Sequence, residues 1–199
     1  MNSIEIKVDG YIDCKSMFYS VADVFNSEAP YKFSAGINRL YGEIDSGVFG
    51  ISYLISMYNS VNKDLIYGQP EANVDGNIVP LSELTKYACY LDESYPLFKT
   101  RKSVRKMVSL GLKKNKSIES CEQIRDMFMI SEDRFERPLY GVGNERFKAM
   151  AAIAYSFNKD VFCFPWLSKN RFDYFRRNMT DLLDILASLN KIVIVPTGN

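Results

Sequence analysis

A glycine-containing loop, Gly42 to Gly50, offers the clearest chemistry in the sequence. It follows a short strand candidate, residues 37–41, and precedes a segment whose apolar residues recur at helical spacing. Glycines between a strand and a helix let backbone N–H groups at the helix N-terminus approach and bind a phosphate. The loop therefore indicates an anion site. Two carboxylates, Asp45 and Asp92, are the other candidates for catalysis, but no second acid accompanies either at a useful spacing.

The 199 residues contain no histidine, which excludes several kinds of catalytic site. Without imidazole there is no Ser-His or Cys-His nucleophile pair, no His-ligated metal, and no metalloprotease or zinc deaminase motif. The length favours one domain, and a composition of 47% apolar and 25% charged residues is ordinary for a globular protein. Any activity of this chain must therefore do without imidazole chemistry.

The cysteines and the N-terminus bear on the compartment. The four cysteines, Cys14, Cys89, Cys121 and Cys163, form no C-x-x-C pair, so we predict free and mostly buried thiols in a reducing compartment. The polar start of the chain predicts no signal peptide, and no run of 18 apolar residues predicts a membrane span. We expect a cytoplasmic protein, placed at the inner face of the membrane if it has a membrane partner.

Charge is unevenly distributed along the chain. Residues 1–95 hold 6 Lys and Arg against 13 Asp and Glu, a net of −7, whereas residues 96–199 hold 19 against 11, a net of +8. The stretch Lys99 to Lys116 has eight cations and no acid. It is either an electrostatic footprint for a membrane surface or an acidic partner, or simply a solvated helix face. Because the net charge of the whole chain is only +1, we predict no nucleic-acid partner.

Hydrophobic periodicity predicts an α/β fold with a mostly parallel sheet. The first strand, residues 4–8, should end at an Asp9-Gly10 turn, and the fully apolar strand 161–164 should be buried on both faces, as in a parallel sheet. Further strands are predicted at residues 37–41, 64–67, 77–81 and 192–195, and helices at 49–61, 101–112, 117–130, 144–157 and 171–188. We predict a single domain with a core of residues 1–92 and 141–199 and a helical insert near 93–140.

The strand–loop–helix unit GINRLYGEIDSGVFGISYLI resembles the phosphate loop of ATP-binding cassette (ABC) proteins. Gly42, Ser46 and Gly47 match the pattern G-x-x-x-x-G-K-[S/T]. The lysine that meets the β- and γ-phosphates is replaced by Val48, and the hydroxyl residue that ligates Mg²⁺ is replaced by Phe49. Neither replacement can do the original chemistry.

Further landmarks of the family fall in the right order, so that the resemblance covers residues from about 30 to 199. By this alignment the Q-loop glutamine falls on or near Asp92, and the signature sequence falls on residues 141–145 with its basic position at Lys148. The Walker B acid falls on Pro165, the catalytic glutamate on Trp166 and the switch histidine on Gly198. An aromatic residue that would stack on adenine is assigned to Tyr11. Against this, Gly42 and Gly47 could merely permit a tight turn in an unrelated α/β protein.

The resemblance implies a P-loop NTPase fold of the ABC type in which the ATPase residues are lost. We predict a catalytically inactive subunit with a structural, regulatory or partner-binding role, without catalytic or metal-binding residues. The signature is also altered, with Val142 at its serine and Asn144 at its second glycine, so both composite sites of a head-to-tail dimer would be impaired. The predicted vestigial nucleotide site consists of Gly42, Ser46, Gly47 and Gly143, and ATP and Mg²⁺ would bind there at most vestigially.

Three alternatives stay open at this stage. The first is the catalytically inactive subunit described above, whose expected partner is a second copy of the chain, another ABC-type subunit or a membrane permease. A different function is that of an ATP-binding subunit that retains weak nucleotide binding and works with a catalytically complete partner. An unrelated enzyme that uses Asp45 or Asp92 is the third possibility.

Overall fold

The computed structural model describes residues 1–25, 29–43, 45–67 and 70–198, and for residues 176–178 only the backbone. Its strands are β1 Ser3–Ile6, β2 Asp9–Lys15, β3 Ser20–Phe25, β4 Tyr31–Ser34, β5 Gly36–Tyr41, β6 Ile66–Tyr67, β7 Glu71–Val74, β8 Asn77–Pro80, β9 Ala88–Tyr90, β10 Val161–Cys163 and β11 Ile192–Thr197. Its helices are α1 Val48–Met57, α2 Leu81–Leu84, α3 Val104–Asn115, α4 Cys121–Met127, α5 Glu132–Phe135, α6 Arg146–Ser156 and α7 Lys169–Ser188.

The core is a parallel sheet with the strand order β5-β11-β10-β9. Every residue of β9, β10 and β11 is buried. The continuous apolar run of β10 predicts this burial, whereas β9 was not predicted. Helices α1 and α7 both pack against β11, and α1 also contacts β9 and β10. The expected α/β fold with a parallel sheet is therefore confirmed, and the loop between β5 and α1 follows the edge strand β5, which pairs with β11.

Two small antiparallel sheets precede and flank this core. Their strand orders are β4-β1-β7-β8 and β3-β2-β6. The predicted turn at Asp9-Gly10 is wrong, because both residues belong to β2 and pair with β6. Gly10 is needed there for close approach: a Cβ on it would lie 2.4 Å from the Leu65 carbonyl oxygen.

The remaining predicted elements are found with shifted bounds. The strand predicted at 64–67 is reduced to Ile66–Tyr67, because Lys63–Leu65 form a 3₁₀ turn, and the strand at 77–81 ends at Pro80. The basic helix begins at Val104 rather than 101, where the Ser103 hydroxyl accepts the Lys106 N–H and caps it. Helices α3, α4 and α5 all lie within residues 93–140. The division of the chain into core and insert stays a prediction.

None of the helices in the described ranges is long and apolar enough to cross a membrane. Among the cysteines, which are all free, Cys14, Cys89 and Cys163 are buried and Cys121 is partly exposed. Burial raises the pKa of the Cys89 and Cys163 thiols well above the ordinary value, so both stay protonated at neutral pH.

Candidate functional site

The loop from Gly42 to Gly47 connects β5 to the N-terminus of α1, as the sequence predicts; Ile44 within it lies outside the described residues. Gly47 is the residue before the first helical residue and has a left-handed backbone with φ of 73°. The inside of the loop is occupied by the chain itself. A Cβ on Gly42 would lie 2.6 Å from the Ser46 Oγ and 3.0 Å from the Val48 side chain. Ser46 also donates its hydroxyl hydrogen to the Glu43 carbonyl.

A buried carboxylate occupies the N-terminus of α1. Asp23, on β3, is 0% exposed, and its two oxygens accept the backbone N–H groups of Gly47 at 3.3 Å and Gly50 at 2.7 Å. Backbone N–H groups of Val24 and Asp45 also stabilise this carboxylate. The positive end of a helix dipole and its free N–H groups form the kind of site that binds phosphate. In this protein an acidic side chain of the same chain takes that place.

Burial and hydrogen bonding act on Asp23 in opposite directions. Burial raises the pKa of the Asp23 carboxyl, and the backbone N–H donors oppose this rise. The phenol of Tyr31 lies beside the same turn: a Cβ on Gly47 would fall 2.1 Å from its hydroxyl oxygen. Burial and the nearby Asp23 carboxylate raise the pKa of Tyr31 to about 12. A neutral Tyr31 and the Asp23 carboxylate therefore close one side of the loop.

Aromatic side chains fill the region on the other side of the loop. We call Tyr19, Phe49, Tyr90 and Trp166 the aromatic cluster. The ring centroid of Phe49 lies 4.3 Å from that of Tyr19 and 4.7 Å from that of Trp166. The Tyr19 hydroxyl accepts the Trp166 backbone N–H at 2.9 Å and lies 3.1 Å from the Tyr90 hydroxyl. Phe49 and Tyr90 are buried, and Tyr19 and Trp166 are partly exposed.

Trp166 joins the loop to the end of β11. Its indole N–H donates to the Gly42 carbonyl at 3.0 Å. A Cβ on Gly198 would lie 2.8 Å from the Trp166 ring, and the Gly42 N–H donates to the Thr197 carbonyl at 3.1 Å. The structure therefore brings together Gly42, Phe49, Trp166 and Gly198, four positions that the sequence alignment had assigned to one site.

Comparison with known structures identifies the architecture. The structure is similar to an ABC transporter ATP-binding protein from Pyrococcus furiosus, with a TM-score of 0.61 and 16% identity over 99% of this chain and 90% of that chain. It is also similar to CbiO1 from Clostridium perfringens, part of the ABC transporter complex CbiONQ, with a TM-score of 0.60 and 13% identity over 97% of this chain and 80% of that chain. The chain has the ABC ATPase-like fold. No protein-family model matches the sequence, and no curated protein matches it.

Asp92, considered for catalysis in the sequence, is a buried acceptor of backbone hydrogen bonds in this fold. It is 0% exposed and follows the edge strand β9. One carboxylate oxygen accepts the Met17 backbone N–H and the other accepts the Ser94 backbone N–H, both at 2.8 Å. Asp92 therefore ties the β2–β3 hairpin to the loop after β9. Asp45, the other acid considered for catalysis, is exposed and has a left-handed backbone.

The predicted signature, residues 141–145, is exposed at Gly143 and Asn144, whereas Val142 at its serine position is buried. Gly143 has φ of 66°, and a Cβ there would meet no atom within 4 Å. Its neighbours Asn144 and Glu145 both bind Arg134, which lies on α5. Lys148, at the basic position, is buried and forms an ion pair with Asp181 at 3.0 Å. The ion pair joins α6 to α7 and leaves Lys148 little freedom to meet a ligand.

Tyr11 does not lie on the face of β2 that packs against α1. Alternation along β2 places Ile12 on that face, within 2.6 Å of a Cβ on Gly50, while Tyr11 is exposed and packs edge-to-face on Tyr67.

The described residues contain no group of three or more cysteine or acidic side chains placed to hold a metal ion.

Sequence reasoning missed Asp23 and Tyr31, which lie at the N-terminus of α1. A signal for Asp23 was present in the strand sequence SVADVF. Asp23 shares its strand face with Phe25, and both are buried. A carboxylate on the inward face of a strand must find hydrogen-bond donors, so it marks a polar site inside the fold.

Proposed function

We propose that this protein is an ABC-type subunit that does not hydrolyse ATP and acts through contacts with other protein subunits. The observation that carries the proposal is the Asp23 carboxylate at the N-terminus of α1. It accepts the same kind of backbone N–H groups that a nucleotide phosphate would need. A phosphate would have to displace a bound carboxylate and would meet its negative charge.

The side chains around the loop support the same proposal. Val48 and Phe49 offer neither a cation for the phosphates nor a hydroxyl for Mg²⁺, and Trp166 and Gly198 offer neither a base nor a polarising imidazole. Loss of one such electrostatic contribution typically costs about 3–4 kcal/mol of transition-state stabilisation. Because these groups act as a unit, loss of all of them should leave no measurable hydrolysis.

A partner-binding role is supported by the similar structures. One of them is part of an ABC transporter complex, and both are described as components of ABC transporters. The exposed Gly143 turn in this chain is also altered, so a partner would receive an impaired signature from it. A scaffold or regulatory contact with another ABC-type subunit or a permease fits these observations better than ATP-driven motion.

A second function, a subunit with weak nucleotide binding beside a complete partner, is favoured by one observation. Gly47 keeps the left-handed turn before α1, and the backbone donors of the loop still point to one place. If Asp23 moves aside, those donors become available to a phosphate.

Isothermal titration with Mg·ATP distinguishes the two functions. We expect no heat of binding with the native chain and, in a separate assay, no phosphate release. A micromolar dissociation constant would favour the second function, and phosphate release by the chain alone would overturn the first. The variant Asp23→Ser removes the competing carboxylate while keeping a small acceptor. We expect it to gain measurable affinity for inorganic pyrophosphate. Asp13→Ser, on the exposed face of the adjacent strand β2, removes the same charge and should gain none.

A further inference from the structure

The arginines of the segment 99–140 are largely neutralised by neighbouring acids. Arg105 binds both Glu122 and Glu136. The other ion pairs of the segment are Arg125 with Asp126 and Glu132, Arg134 with Glu145, and Arg137 with Asp133. These pairs use up most of the acidic side chains around α3, α4 and α5.

Seven cations of the same segment form no ion pair within the described residues: Lys99, Arg101, Lys102, Lys106, Lys113, Lys114 and Lys116. The exposed side of α3 carries three side chains spaced three to four residues apart: Lys106, Leu110 and Lys113. Lys102 lies four residues before Lys106, just ahead of the helix. We call Lys102, Lys106, Leu110 and Lys113 the basic face. At the centre of the basic face, Leu110 is 39% exposed, and Ile118, after the end of α3, is fully exposed.

The opposite side of α3 fixes this face on the protein. Val104, Val108 and Leu112 are buried in the core. Gly111 lets α3 approach α6 so closely that a Cβ on it would lie 2.3 Å from the Ser156 Oγ. The basic face is therefore presented by a rigid helix about 18 Å long, with no folding required on binding.

We propose that the basic face binds the surface of an anionic lipid bilayer. The three lysines of the basic face and the four other unpaired cations of the segment together make seven, within the four to eight Lys and Arg that are typical of binding to acidic headgroups. Every one to two such cations raise the affinity about tenfold. The net charge of the chain is only +1, so the attraction comes from this local cluster, which also orients the molecule with α3 toward the lipid.

Two features favour lipid over nucleic acid. Six of the seven unpaired cations are lysines, point charges that suit a diffuse headgroup layer, whereas bidentate phosphate recognition uses arginine. Helix α3 contains no aromatic residue that could stack on a base, and it exposes an aliphatic side chain, Leu110, among the lysines. Aliphatic groups beside lysines fit the boundary between headgroups and acyl chains.

Co-sedimentation with lipid vesicles tests the proposal with the full chain. We expect partition into phosphatidylcholine vesicles that contain phosphatidylglycerol, and none into pure phosphatidylcholine. At an ionic strength of about 0.5 M, where the Debye length is under ~5 Å, the binding should be lost. The triple variant Lys102→Gln, Lys106→Gln, Lys113→Gln should lower the partition coefficient about a hundredfold.

Matched variants keep the test decisive. The control Lys7→Gln, Lys15→Gln, Lys63→Gln removes the same charge from exposed positions elsewhere and should change partition less than about threefold. Leu110→Ser should lower vesicle binding severalfold and leave binding to heparin, a soluble polyanion, unchanged. Equal binding to both vesicle types, or equal losses in the two triple variants, would overturn the proposal. So would an RNA oligonucleotide that binds through the same lysines when the vesicles do not. None of these outcomes bears on nucleotide binding at α1.

Discussion

At the scale of single residues, Asp23 experiences two opposing influences on its ionisation. Its complete burial disfavours the charged carboxylate, while the N–H groups of Gly47 and Gly50 favour it. Burial is the larger effect, so the pKa of Asp23 in the folded protein lies above its ordinary value. The same carboxylate that blocks the helix N-terminus is thus less stable there than it would be in water.

The raised pKa of Asp23 predicts a pH dependence of stability with a definite sign. The folded state binds the Asp23 proton at higher pH than the unfolded state, whose pKa is about 3.9. The contribution of Asp23 to the free energy of unfolding should therefore rise as the pH falls through the folded-state pKa, and be complete below about 3.9. Urea unfolding at several pH values measures this contribution as the free energy of unfolding of the native chain minus that of Asp23→Asn.

That difference separates Asp23 from all other titrating groups. A native-minus-Asp23→Asn difference that stays constant, or that falls as the pH falls, would contradict a raised pKa for Asp23.

The contact between Gly198 and Trp166 predicts that the two positions are coupled. A Cβ at position 198 would lie 2.8 Å from the Trp166 ring, closer than real contacts allow. We expect Gly198→Ala to lower the free energy of unfolding by about 1–3 kcal/mol, the usual cost of overpacking. In a Trp166→Ala background the same change should cost less than about 0.5 kcal/mol.

The control for this cycle is Gly141→Ala, since a Cβ there would lie 3.5 Å from its nearest neighbour, an ordinary contact. Chemical denaturation of the four chains of the cycle gives the coupling energy. If Gly198→Ala costs the same with and without Trp166, the ring does not exclude side chains at position 198.

The sequence could place the residues that the alignment assigns to one site, but not Asp23, which lies at the N-terminus of α1 beside them. Phe49, Trp166 and Gly198 were assigned by their order along the chain, and the structure brings them into contact. Asp23 could not be assigned in this way, because it lies on a strand of another sheet and reaches α1 only through tertiary packing. Order along the chain carries no information about such a contact.

At the scale of elements, α6 and α7 are joined by an ion pair whose two members differ in exposure. The Lys148 side chain is 5% exposed and that of Asp181 is 39% exposed. We expect Asp181→Ala to lower the free energy of unfolding by about 3 kcal/mol, because it leaves an uncompensated charge buried. Lys148→Met should cost less than about 1.5 kcal/mol, because the volume is kept and the remaining carboxylate reaches water.

Denaturant unfolding of these two variants and of the double variant completes the cycle. The double variant should resemble Lys148→Met alone. If Asp181→Ala is no more costly than Lys148→Met, the Lys148 ammonium is solvated in the protein and the ion pair contributes little to the contact between α6 and α7.

Elements with a strong local pattern were predicted, and those that depend on distant partners were not. The buried strand β10, the strand β11 and the amphipathic helix α3 have clear apolar runs or helical periodicity. By contrast, β4 and β7 were not predicted; both pair with β1, and β7 is about 70 residues away from it. β9 was not predicted either, and its three residues are too few for any period to be visible. Register across such strands is determined by tertiary packing, which the local sequence does not contain.

At the scale of the whole molecule, the two oppositely charged halves of the chain do not form separate bodies. β5 and β9 from the acidic half share one parallel sheet with β10 and β11 from the basic half. The acidic and basic halves therefore cannot simply stack against those of a second copy, as their net charges might be taken to imply. What remains uneven is the local surplus of cations on α3.

The occupied end of α1 predicts how the whole molecule behaves when nucleotide is added. In the head-to-tail arrangement that the resemblance implies, nucleotide is held between the loop of one chain and the signature of the other, and so links them. Here Asp23 and Val48 occupy the loop, and Asn144 at the signature is bound to Arg134. We expect size-exclusion chromatography with light scattering to give the same mass with and without Mg·ATP, whether that mass is one chain or two. The Asp23→Ser variant should behave identically, since it restores donors on one side of the shared site only. A mass that doubles on addition of Mg·ATP, but not of Mg²⁺ alone, would show that nucleotide joins two chains despite Asp23, and would favour the nucleotide-binding function over the one proposed.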